Sequence, residues 1–152
     1  MTRPFSLQPV LELMQSRADD ATRRLAQLIA AENDARSKLE LLQQYRSDYA
    51  TRFQQAAGNG LSPAEWRNFQ DFLGRIDEAI EQQGRALGMQ KTRTAAGQAH
   101  WQEQRVKLKA LDTLSERHRA MEMQREARQE QKQLDEFAAR SPGASGRNAD
   151  GD

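Results

Sequence analysis

The groups that could do covalent chemistry are few and poorly placed for it. His100 and His118 are the two histidines of the chain, neither has a companion at ligand spacing, and there is no cysteine to supply a thiolate or a disulfide. The carboxylates are scattered over helix faces that water wets, with no pocket to raise a pKa into the range of a general acid. Gly58 and Gly60 stand close enough to suggest a phosphate-cradling loop, but the lysine and the preceding strand of such a loop are missing. No catalytic residue, metal or cofactor is therefore expected, and the chain reads as a non-enzyme. What remains is the chemistry of contact. Tyr45, Phe72 and Ala79 flank a seam that also holds Leu42, Tyr49 and Ile76, and Met121, Met123, Ala127, Leu134 and Phe137 form a thin apolar stripe near the far end.

Composition says what kind of scaffold carries these side chains. Charged residues make up 30% of the 152 positions, aromatics 6%, and the mean hydropathy is −0.95. Gln, Arg, Glu, Ala and Leu dominate, the usage of long helices and coiled coils. Basic and acidic residues number 23 and 22. No basic block stands out, so no nucleic-acid partner is indicated. No apolar run approaches a membrane span, and MTRPFSLQPV lacks the apolar core of a signal peptide, so a soluble, cytoplasmic chain is expected without direct membrane insertion.

A seven-residue repeat runs through most of the chain. With Leu11, Ala18, Leu25, Glu32, Leu39, Arg46 and Phe53 at position a, and Met14, Ala21, Leu28, Ala35, Leu42, Tyr49 and Ala56 at d, twelve of fourteen seam positions are apolar. The repeat resumes at Trp66, Leu73, Ile80, Leu87, Thr94, Trp101, Leu108 and Ser115 (a). Its d positions are Phe69, Ile76, Gln83, Gln90, Gly97, Gln104, Leu111 and His118, and nine of these sixteen positions are apolar. A strict repeat of this kind predicts a left-handed supercoiled seam. Beyond His118 the repeat is lost, although the residues remain helix-forming.

Between the two runs lies AAGNGLSPAEW. Gly58 is suited to the left-handed conformation that ends a helix. Ser62-Pro63-Ala64-Glu65 reads as a capping box with proline at the first helical position, and Leu61 and Trp66 stand at the two places of a hydrophobic staple. The predicted fold is thus all-α: a long two-helix antiparallel coiled-coil hairpin over residues 1–140. Helix 1 runs from about 8 to 57, the turn covers 58–62, and a longer helix 2 runs from about 63 to 139, followed by a disordered tail at 141–152. Pairing residues whose numbers sum to 122 sets large against small and polar against polar: Ala56 with Trp66, Phe53 with Phe69, Leu25 with Gly97 and Ala21 with Trp101.

The off-centre turn makes the helices unequal, ~70 Å against ~115 Å at the α-helical rise. Helix 1 is expected to run out opposite residue 112, leaving 113–140 without an intramolecular partner. A lone helix is marginal in water, so this overhang either frays or binds. The glycines of GRALGMQKTRTAAG, residues 84–97, each cost ~1 kcal/mol relative to alanine, and this segment is expected to bend or breathe.

GNGLSPAEWRNFQDFLGRIDEAIEQQ, preceded by LLQQYRSDY and followed by KQLDEFAAR, resembles the FliJ family of bacterial flagellar type III export. The resemblance extends to Arg140 and is most specific at the Gly-Asn-Gly turn, Trp66 and Ala79-Ile80-Glu81-Gln82. It implies an antiparallel coiled coil similar to the rotor stalk of rotary ATP synthases. Its expected partners are the flagellar export ATPase hexamer, the cytoplasmic domain of the export gate, and substrate-free export chaperones. The implied location is cytoplasmic, peripheral to the inner-membrane export apparatus. By analogy, the gate is assigned to Leu42, Tyr45, Tyr49, Phe72, Ile76 and Ala79. The ATPase is assigned to the terminal end and overhang: Leu11, Met14, Met121, Met123, Leu134 and Phe137. The alternatives are the stalk component of a virulence type III secretion system and a purely structural, dimerising coiled coil.

Overall fold

The computed structural model describes residues 3–140, all of it helix, turn or coil with no strand among the described residues. The predicted tail at 141–152 lies outside them. α1 spans Gln8–Gly58 and the longer α2 spans Pro63–Arg140. The fold class is therefore the predicted one, a helical hairpin with the second helix longer. The chain divides into two units, one of residues 16–105 and one in which the N-terminal residues join those from Val106 onward.

In the unit of 16–105 the helices run antiparallel. Phe53 meets Phe69 with ring centroids 5.2 Å apart, the Gln83 amide donates to the Ala35 carbonyl at 3.0 Å, and Trp101 Nε1 donates to Thr22 Oγ1 at 3.0 Å. Leu25 and Leu28 both lie over Gly97. These contacts match pairing about a sum of 122 and exclude a slip by one heptad, which would move every partner by seven residues. The seam buries Ala18, Ala21, Leu28, Ala35, Ile76, Leu87 and Gln104, each an a or d position. Like Gln83, Thr94 of the α2 seam bonds across the interface: its Oγ1 stands 3.3 Å from the Leu28 carbonyl, a second acceptor site on an oxygen already bonded within its helix. Arg46, the basic residue at an a position, turns outward to pair with Asp77 of α2.

The turn follows the predicted chemistry with one correction. Glu65 N–H donates to Ser62 Oγ at 3.2 Å, and α2 begins at Pro63. The left-handed residue, however, is Gly60, with φ of 89°, and not Gly58, which stays in α1. The reason lies in the C-terminal hydrogen bonds. Asn59 N–H reaches the carbonyls of Gln55 and Ala56 at 3.3 and 3.2 Å, and Gly60 N–H reaches Ala57 at 3.2 Å, so the helix tightens for one more turn before it stops.

Residues 84–97 lie in the middle of α2. They form unbroken helix within α2 and bury Leu87. Gly97 is not a weak point: a Cβ there would overlap Leu28 Cδ1, so the missing side chain is the notch into which Leu28 packs.

The unit containing the N-terminal residues corrects the expectation that 113–140 has no intramolecular partner. Residues 3–7 continue past the start of α1 as a strap along α2. Arg3 N–H donates to Glu122 Oε2 at 3.1 Å, His118 Nε2 donates to the Arg3 carbonyl at 2.8 Å, and the Phe5 ring lies 5.5 Å from the His118 ring. The strap turns into α1 through the Gln8 N–H to Phe5 carbonyl bond at 3.0 Å. His118 and Glu122 are thus partnered within the chain. The segment without cover begins later, and every residue from Ala127 to Arg140 is exposed.

Candidate functional site

Two surfaces are left over once the seam is accounted for. The first is in the unit of 16–105. Tyr49 sits between Phe72 and Phe69, with ring centroids 4.5 and 5.3 Å away, and Tyr45 meets Phe72 edge-on at 6.3 Å. The row continues through Phe53 to Trp66, 4.8 Å apart. Aromatic rings at these separations gain from edge and offset contacts beyond their burial. Of the six residues expected to form a docking patch, Tyr45, Tyr49 and Phe72 are in mutual contact. Leu42 and Ala79 are half-buried, and Ile76 is only 5% exposed and belongs to the seam. Tyr45 is 51% exposed, and one turn before it stands Leu41 at 70%. The heptad reading missed Leu41 because it is neither a seam residue nor a flanking one. The signal available was the Leu39, Leu41, Leu42 run, in which one leucine must leave the seam.

The second surface is on α2 in the other unit. The six residues assigned to the terminal end do not form one face. Leu11 and Met14 are half-buried at seam positions. Met123, Ala127, Glu130, Leu134 and Phe137 recur at intervals of four and three and lie along one stripe of the helix. This stripe is turned about 100° from the seam that Glu122 continues, and Met121 lies on nearly the opposite side, at 100° per residue. Leu134 is 63% exposed and Phe137 74%. A partner on this stripe would approach α2 from a side that α1 does not use.

Electrostatics at the boundary of this surface are set by Glu122. It is buried, it accepts from Arg3 N–H, and Arg125 lies 3.2 Å from its Oε2. The bond from the Arg3 backbone, with help from Arg125 and His118, holds its carboxyl below the ordinary 4.5, against the opposing effect of burial. No cluster of three His, Asp or Glu side chains suited to a metal ion occurs among the described residues. Among the described residues no helix is long and apolar enough to cross a membrane.

The arrangement can present an aromatic row and a separate apolar stripe. Comparison with known proteins agrees on one kin group. The family model described as Flagellar FliJ protein matches residues 3–147. The Flagellar FliJ protein of Salmonella typhi is 30% identical over 141 residues, which cover 93% of this chain and 96% of that protein. The Flagellar FliJ protein of Escherichia coli K12 is 27% identical over the same shares. A solved structure, titled as a proposed YscO homologue from Chlamydia trachomatis, gives a TM-score of 0.46 at 18% identity, covering 91% of this chain and 94% of that one.

Proposed function

The chain belongs to the flagellar FliJ family, and from that premise we propose that it is a non-enzymatic component of flagellar type III export, a stalk-like adaptor between other proteins. Its partners are the export ATPase hexamer, the cytoplasmic domain of the export gate and substrate-free export chaperones. The reading places it in the cytoplasm at the inner-membrane export apparatus. The stripe of Met123, Leu134 and Phe137 takes the ATPase, and the row around Tyr45, Tyr49 and Phe72, with Leu41, takes the gate.

The observation that carries this reading is the exposure of Leu134 and Phe137 on a helix end whose residues from Ala127 onward are all open to water. Large apolar side chains held on such a stripe gain free energy when a partner removes them from water, roughly 1.5–3 kcal/mol per side chain at full burial. The flagellar relatives favour the flagellar over the virulence system. Titration of the purified chain against the ATPase and, separately, against the gate domain tests the proposal. Binding to both supports it, and binding to neither removes it.

A further inference from the structure

The positions that flank a coiled-coil seam ordinarily hold opposite charges that pair across it. One flank of the unit of 16–105 breaks that pattern. In its half away from the turn, the g positions on α1 are Arg17, Arg24, Ala31 and Lys38, and on α2 they are Ala86, Arg93 and His100. No carboxylate occurs at these seven, whereas the half near the turn holds Tyr45, Arg52, Glu65, Phe72 and Ala79. The surrounding stretch of α2 has the same bias: residues 84–109 carry six basic side chains (Arg85, Lys91, Arg93, Arg105, Lys107 and Lys109) and one acidic, Glu103, in a chain of net charge +1.

At this flank the two helices enclose a cleft of about 390 Å³ lined by Arg17, Asp20, Ala21, Arg24, His100 and Gln104. Asp20, the acidic residue in the wall, is engaged by Arg23. Neither Arg17 nor Arg24 has an ion-pair partner among the described residues, and one heptad sets them about 10 Å apart along α1. Gln104 is only 6% exposed, and its Oε1 is buried without a hydrogen-bond partner. A buried acceptor left unsatisfied costs free energy that a donor from a ligand would return.

We propose that this cleft is a docking site for an acidic segment of a partner protein. Carboxylates of the segment pair with Arg17 and Arg24, and a backbone N–H donates to Gln104 Oε1. The combination of cations with a buried acceptor is what selects a peptide. A phosphodiester backbone offers only acceptors and leaves Gln104 unsatisfied. A membrane presents a flat anionic plane, which cannot follow a cleft between helices. A polypeptide supplies the carboxylates and the N–H from one chain. The inference stands apart from the ATPase and gate assignments, since it uses neither the aromatic row nor the stripe.

The test is fluorescence anisotropy of a labelled peptide of alternating glutamate and alanine, titrated with the full chain. The protein binds it with an affinity that falls with salt. Arg17→Glu with Arg24→Glu lowers the affinity about tenfold or more. Gln104→Leu lowers it about fivefold through the lost N–H acceptor and leaves the salt dependence unchanged. Arg67→Glu with Arg75→Glu, the same charge change on α2 away from the cleft, has no effect, and circular dichroism shows all variants equally helical. Failure of the unaltered protein to bind overturns the proposal, as does an equal loss in the Arg67/Arg75 control or full binding by Gln104→Leu. Competition by single-stranded DNA or by phosphatidylserine–phosphatidylcholine vesicles that exceeds that of unlabelled peptide reassigns the cleft to those ligands and also overturns it.

Discussion

Leu28 fills the space that a side chain at position 97 would occupy, so the two helices of the 16–105 unit meet there with Gly97 as the notch and Leu28 as the knob. Leu28 is itself buried and has little room to turn away. Gly97→Ala therefore gains about 1 kcal/mol of helix propensity and loses about 1–3 kcal/mol to overpacking. The expected net is a destabilisation of about 1 kcal/mol. Gly88→Ala meets nothing within 4 Å and should stabilise by about 1 kcal/mol. Denaturant unfolding of the two variants checks the pair. A stabilised Gly97→Ala would show that the seam relaxes around the notch.

Much of this fold is legible in the residues, and what is not has a physical reason. Every buried residue of the 16–105 unit falls on the a or d register, because a two-helix seam has no other interior. Ser62 and Glu65 announce the start of α2, because a cap is a local hydrogen bond. The strap was invisible. It is held by the backbone N–H and carbonyl of Arg3, and backbone groups leave no periodic trace. Its partners His118 and Glu122 read as the decay of a repeat when they are its polar continuation. Leu41 was equally hidden, since exposure off the seam is decided by geometry and not by residue type.

The strap should respond to pH. The Glu122 carboxyl is held below its ordinary value, chiefly by the bond from Arg3 N–H. Its contribution is present above the ordinary value of 4.5 and is lost as pH falls through the lower folded value. The Arg3 amide resonance should accordingly shift on acidification below pH 4.5. Glu122→Gln keeps an acceptor but no titrating group, so the shift should disappear. An unchanged titration in that variant would assign the effect to another carboxylate.

At the aromatic row, Leu41→Ala with Tyr45→Ala is a cleaner probe than any change at Phe72, whose ring packs on both tyrosines. Both probe residues are mostly exposed, so the melting curve should move little. Affinity for the export gate should fall by about 2 kcal/mol, the scale of an aromatic anchor. Loss of helicity with unchanged gate binding would show that the row serves the fold alone.

On the helix beyond Glu122, charge should matter less than apolar area. Arg128→Glu alters an exposed residue, and exposed pairs contribute only about 0–1 kcal/mol. Met123→Ser, Leu134→Ser and Phe137→Ser together remove the whole large-residue stripe and should abolish ATPase binding in titration calorimetry. A stronger effect from Arg128→Glu than from the triple change would make the contact electrostatic.

The most direct test of the adaptor reading is the rate of ATP hydrolysis by the export ATPase in the presence of a chain ended after Glu126. This truncation keeps the seam, the strap and the Arg3–Glu122 bond, and removes the stretch from Ala127 to Arg140 that is fully exposed. The account predicts an intact hairpin by circular dichroism and no stimulation of hydrolysis. Stimulation equal to that of the full chain would contradict it and place the ATPase contact within the paired helices.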